Sequence, residues 1–220
     1  MNPQQFVQII ESLRFENAFN PYAECCAVHD VLDAPLRRRR SLYALLDAAA
    51  KTEIDSLWIG RDLGHRGGRR TGMALTDDLH LFTHAQRWGV TVERATKGPL
   101  VAERTAAIVW QLLMRVPLPV FLWNVFPLHP HEPADPFSNR SHKPNERRAG
   151  EELLAELVHL LRPKRLVAIG NDAAKVARRL ASNSVAVQIR HPSYGGQSAF
   201  IRQMRDLYKL SNAHEQRVLL

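Results

Sequence analysis

The sequence predicts an α/β fold: a three-layer α/β/α sandwich around a central four-stranded, mainly parallel sheet. Two patterns carry that expectation. Four apolar runs of strand length, "SLWIG" (56–60), "PVFLWNV" (119–125), "RLVAIG" (165–170) and "VAVQIR" (185–190), are rich in Val, Ile, Leu and Trp, as strands buried on both faces require. Segments with helical spacing bracket them, and such alternation leads to a parallel sheet covered by helices on both sides. A chain of 220 residues, 45% hydrophobic and 24% charged, supplies core for one domain, expected over 1–220.

Taken in order, the first helix is "LRRRRSLYALLDAAAK" (36–51), whose "RRRR" (37–40) is expected to be mostly a solvated face. After strand 56–60 and its glycine-rich extension comes "TDDLHLFTHAQRW" (76–88), where Thr76-Asp77-Asp78 reads as an N-cap with an acidic first turn. Helix 103–116 leads into strand 119–125. The stretch 127–146 follows, an irregular segment with five prolines, and loops of that length in a compact domain usually carry function or move. Helix 147–162, strand 165–170, helix 171–181 starting at Asn171-Asp172, strand 185–190 and helix 197–210 complete the chain. Residues 1–35 are silent beyond a pocket contribution from Asn20-Pro21-Tyr22.

Lys and Arg outnumber Asp and Glu by 30 to 22, a net charge of +8, which favours an anionic partner such as nucleic acid. The two cysteines, Cys25 and Cys26, are adjacent, so they do not form an ordinary disulfide with each other, and they are too few for a cysteine-bound zinc or iron–sulfur site. Glu11, Arg14 and Glu16 interrupt the N-terminal segment where a secretory signal needs an apolar core. A soluble, cytoplasmic, monomeric protein without membrane contact, metal or cofactor is expected.

In open parallel sheets, ligands sit at the carboxyl ends of the strands. Here those ends offer Asp62, Asn124 and His191, which are a charge stabiliser or base, a reader of a base edge, and a donor to an oxyanion. Each has a plainer use: Asp62 as a helix cap, Asn124 as a partner for loop backbone, His191 as a turn residue before Pro192. Gly67-Gly68 with Arg66, Arg69 and Arg70 forms either a phosphate nest or a solvated loop; no Gly-Lys-Ser/Thr follows to make it a Walker loop.

"GRDLGHRGGRRTGMALT", "WNVFPLHP" and "RHPSYGG", in that order, resemble the motifs of the uracil-DNA glycosylase superfamily. Gly60, Asp62, His65, Gly68, Gly72 and Ala74 fall in register with the first motif of the Gly-Gln-Asp-Pro-Tyr-His class, and His191-Pro192-Ser193 match the start of its last motif. The resemblance implies Asp62 and His191 as the catalytic pair, orienting water and donating to the departing base oxygen. Asn124 would read uracil; Gly60, Arg61, Leu63, Gly64, His65, Leu75 and Phe126 would line the substrate site. Arg66, Arg69, Arg70, Ser193, Tyr194 and Gly195 would contact DNA.

The departures point elsewhere in the superfamily. Gly64 stands where that class has a tyrosine that blocks the thymine methyl, and Leu75 where it has the phenylalanine that stacks on uracil. Gly64, "NVFPL" and "NRSHKPNE" resemble the single-strand-selective branch, so the sequence combines the carboxylate of one branch with the glycine of another. The stacking ring is left to Phe126, Phe137 or Tyr22, and Tyr194 either enters the base stack or shapes its turn.

The implied activity is metal-independent hydrolysis of the N-glycosidic bond of uracil in single- or double-stranded DNA, with base flipping, leaving an abasic site for base excision repair. No lysine lies within the three motifs to form a Schiff base. Two other functions compete: excision of another damaged base such as hypoxanthine, admitted by Gly64, and a damaged-DNA-binding module that does not cut. A third, weaker one is a nucleotide-binding protein unrelated to repair.

Overall fold

The computed structural model describes residues 1–181 and 184–211. In chain order the elements are α1 (Pro3–Ser12), β1 (Ala18–Phe19), α2 (Ala34–Ala50), β2 (Ser56–Asp62), α3 (Gly68–Thr71), α4 (Leu81–Arg87) and α5 (Arg104–Leu113). They continue as β3 (Val120–Phe126), β4 (His129–Pro130), α6 (Pro144–Leu161), β5 (Arg165–Ile169), α7 (Asn171–Leu180), β6 (Val185–Ile189) and α8 (Gln197–Tyr208). The expected unit over 1–220 includes 182–183 and 212–220, which lie outside the described residues.

The four predicted strands form one parallel sheet in the order β3-β2-β5-β6. Its side chains alternate between two apolar layers, as the two-residue period of a strand demands. Leu57, Ile59, Phe121, Trp123, Leu166 and Ala168 join the core that also takes in residues of α1, α2, α6 and α7. Trp58, Val120, Leu122, Val167 and Ile169 face the layer built with α5 and α8. Helix α6 lies so close to β3 that a Cβ on Gly150 would run into the Val125 carbonyl. Among the described residues no helix is long and apolar enough to cross a membrane.

From β2 the chain crosses to β3 on one side, then returns to place β5 on the other side. The carboxyl ends of β2 and β5 therefore flank the point where strand order reverses, and the divergent loops there open a crevice.

Three local expectations are corrected by burial. Arg38, within "RRRR", is buried and donates to both Asp30 oxygens and the Arg70 carbonyl; a buried guanidinium needs such pairing. Asp77 and Asp78 do not form the first turn of α4, which starts at Leu81. Both are buried: Asp77 accepts from the backbone N–H of His80 and Glu103, Asp78 from Arg70, Thr96 and the Val101 N–H. They fasten loops together instead of capping a helix. The stretch 127–146 is partly ordered, because β4 pairs antiparallel with β1, which gives residues 18–19 a structural role.

Candidate active site

A cavity of about 430 Å³ opens at the strand-order reversal, lined by the ends of β2, β5 and β6. Asp62 and His191 both face it, with Arg61, Leu63, Gly64, Leu75, Ser193 and Tyr194. Trp58, Gly60 and Asp62 alternate onto one face of β2, so the buried strand delivers the carboxylate at its last residue.

Both oxygens of Asp62 are held. The Nδ1–H of His142 donates to Oδ1, and Arg61 Nε donates to Oδ2 at 2.7 Å. The Asp62 side chain is 6% exposed and that of His142 8%. Local structure explains how His142 gets there. Arg140 donates to both oxygens of Glu146 (2.8 and 2.6 Å), and the Lys143 N–H to Glu146 Oε2 at 2.5 Å. With Pro144 opening α6, these bonds close the helix start and fix the backbone on either side of His142.

His191 is set by its own turn. Its Nδ1 accepts the Ser193 N–H at 3.2 Å and lies 2.7 Å from the Ser193 hydroxyl. A backbone N–H can only donate, so the ring proton sits on Nε2, an N–H without a partner among the described residues. Burial, then Arg61 and Arg190, hold His191 below the usual histidine range, so the ring is neutral at neutral pH. Gly170 (φ 96°) brings the ring in close: a Cβ there would sit 3.3 Å from that of His191.

Asn124, on β3 opposite Gly60, is buried at 1% exposure, and its Oδ1 has no hydrogen-bond partner among the described residues. That oxygen and Leu75 cover Gly60, where a side chain would displace them. Neither Asn124 nor Gly60 lines the cavity, whose wall on that side is Leu75; the unpaired buried amide oxygen costs about 1–3 kcal/mol.

Other expected residues lie elsewhere. Phe126 is fully buried, edge-on to Phe15 and His142, and does not line the cavity. Tyr22 is buried with its hydroxyl on the Gly72 carbonyl, and Phe137 packs against His29. Arg69 and Arg70 are corrected as phosphate contacts: Arg69 lies buried over the Phe19 ring (3.8 Å), and Arg70 is buried against Asp78. Arg66 stays exposed, His65 is half-buried with its N–H on Asn139 Oδ1, and Gly195 is exposed at φ 74°.

Two side chains of the site escape sequence reasoning: His142, which holds Asp62, and Glu103, which lines the cavity. His142 had a cue, a histidine just before the helix-starting Pro-Asn-Glu, but nothing in the sequence ties it to a residue eighty positions earlier. Glu103, preceding α5, brings its carboxyl to the wall beside Gly64; only the folded chain shows that.

Residues 48–209 match the family described as the Uracil DNA glycosylase superfamily. The chain belongs to this superfamily. Among solved structures it is similar to wild-type SMUG2 of Pedobacter heparinus, with a TM-score of 0.58 over 95% of this chain and 97% of that one, at 14% identity. At that identity the likeness speaks for the uracil-DNA glycosylase fold, including its parallel sheet flanked by helices. No curated protein matches the chain.

Proposed function

We propose that this protein is a monofunctional DNA glycosylase that hydrolyses the N-glycosidic bond of uracil in DNA and leaves an abasic site. One observation carries the reading most: Asp62 and a neutral His191 with a free Nε2–H face the same cavity at the crevice of the sheet. As the C1′–N1 bond breaks, the sugar becomes cationic and the base anionic. The Asp62 carboxylate stabilises the cation and orients the water that adds to C1′, while His191 Nε2–H stabilises the departing oxygen. With both its oxygens held, Asp62 suits a fixed electrostatic role better than that of a strong proton acceptor.

The unpaired Asn124 Oδ1 fits a reader of the base's N–H edge. The duplex hides the target bond, so the nucleotide must swing out. Tyr194, 96% exposed at the cavity mouth in a left-handed turn (φ 50°), is placed to fill the gap. Ser193, Gly195 and the exposed Arg66 and Arg190 supply phosphate contacts. The protein acts as a monomer and as one domain. A second reading, excision of another damaged base, remains, since Gly64 puts no side chain of its own into the cavity and the space beside it is taken by the Glu103 carboxyl.

The test is incubation with oligonucleotides carrying uracil, hypoxanthine or a thymine mismatch, single- and double-stranded, followed by alkaline cleavage at abasic sites. Strand breaks at uracil are expected. Breaks only at hypoxanthine would transfer the reading to that base, and none at any base would end it.

A further inference from the structure

Asp62 is held by two partners of unlike kind. The His142 side chain is 8% exposed, and the closed start of α6 fixes the backbone next to it, so its bond to Oδ1 belongs to the folded framework. The Arg61 side chain is 42% exposed and lines the cavity, where it gives Oδ2 one N–H, from Nε, at 2.7 Å. Its Nη1 lies 3.8 Å from Oδ2 of Asp172, a half-exposed carboxylate in the first turn of α7 that lines the same cavity. Only the Arg61 hold on Asp62 can be released without disturbing an element of the fold.

That hold opposes the chemistry proposed above. A guanidinium on the carboxylate cancels much of its field at the sugar, where positive charge has to grow. One unit charge about 5–6 Å from that carbon, at the effective dielectric of a protein surface, changes such a barrier by roughly a hundredfold. A DNA phosphate at the cavity would offer Arg61 a better acceptor, since phosphate takes two parallel N–H bonds from a guanidinium where Asp62 takes one. A phosphate brought toward two carboxylates, Asp62 and Asp172, also requires a cation between them. We propose that Arg61 is a charge gate on Asp62: without DNA it neutralises the carboxylate, and a backbone phosphate beside the target nucleotide draws it away, so that the negative charge meets the sugar only when DNA is in place. This rests on the glycosylase reading. His142 keeps the carboxylate aimed after Arg61 has left. Arg61 is thus a positioning residue, acting on the reaction through Asp62, and a nucleoside without neighbouring phosphates meets a neutralised site.

The experiment is a cycle between Arg61 and the phosphates. Each phosphate within two nucleotides of the uracil is replaced, one at a time, by an uncharged methylphosphonate. Single-turnover excision at saturating protein is then measured for wild type, Arg61→Gln and Arg61→Lys, which separates bond breaking from affinity. At one position, replacement should slow bond breaking by roughly tenfold to a hundredfold more in wild type than in Arg61→Gln. Arg61→Lys, still cationic, should keep most of the wild-type penalty. Equal penalties in wild type and Arg61→Gln at every position overturn the gate, as does a wild-type rate that no replacement changes. If no strand releases a base, the glycosylase reading fails separately. Affinity for the same strands carrying an uncleavable 2′-fluoro nucleotide then decides the gate: one replacement should weaken wild type more than Arg61→Gln, and equal weakening overturns it.

Discussion

His142 holds Asp62 across eighty residues of chain, its Nδ1–H on one oxygen of a carboxylate that ends a buried strand. The bond joins the α6 helix start to β2, and it leaves the carboxylate little freedom to turn.

His142→Ala frees the carboxylate to rotate, so excision should slow by up to about 10²-fold, the loss that misplacement of a reacting group by about 1 Å produces. Binding of uncleavable DNA should change little. Single-turnover rates at wild-type speed would remove His142 from this role.

Asp62→Asn keeps the shape and removes the charge facing the sugar. Turnover should fall about 10²- to 10³-fold, comparable to losing one preorganised electrostatic contact. DNA affinity should persist; a loss of affinity matching the loss of rate would mean that Asp62 holds substrate and not the transition state.

Gly60→Ala introduces a Cβ into the space of the Asn124 amide, which is the free end of a side chain and can swing away. Thermal stability should move only slightly, while selection for uracil collapses. The same Cβ on Gly150 meets backbone, the Val125 carbonyl, so Gly150→Ala should lose about 1–3 kcal/mol in denaturant titrations.

Tyr194→Ala removes an exposed ring and should leave stability within about 0.5 kcal/mol. It should weaken activity on duplex far more than on single strands, where no stack has to be refilled. Equal losses on both would assign Tyr194 to the turn alone.

Two buried histidines predict acid sensitivity. Burial, then Arg87, lowers His84 to about 3; burial, then Arg69, does the same for His129. The folded state binds these protons more weakly than the unfolded chain, so their contribution is complete above pH 6.5 and lost as pH falls toward 3. In His84→Phe, the slope of unfolding free energy against pH in that window should shrink by about 1.4 kcal/mol per unit. Glu103 works in the opposite sense, since its raised value makes stability fall as pH climbs from 4.5 to 7, and Glu103→Gln should flatten that window.

The sheet was legible because β2, β3 and β5 are largely buried on both faces, so that "LWI", "FLW" and "LVAI" stand out as uninterrupted apolar runs, whereas β6 is a partly exposed edge strand with only Ile189 buried. Asp62 and His191 were legible for a related reason: strand ends are marked in sequence by where such runs stop. The arginines were not. Exposed Arg66 and buried Arg69 look alike in "HRGGRR", and only the rings of Phe19 and Phe137 and the partner Asp78 decide which guanidinium turns inward. Helix α4 began later than its pattern suggested because Asp77 and Asp78 bind distant backbone and side chains, a preference no local window contains.

Arg38, Arg69 and Arg70 face inward, but so do Asp30, Asp77, Asp78 and Glu146, so the outward surface keeps the chain's basic character. Each phosphate neutralised on duplex DNA releases condensed counterions and adds about 0.9 to the slope of log affinity against log salt. The slope should therefore be set by outward cations, Arg61 and Arg190 at the cavity and the exposed Arg66 close by in sequence. Contacts of that kind weaken as salt rises, so at high salt residence at a site should depend on whether a base has entered the cavity.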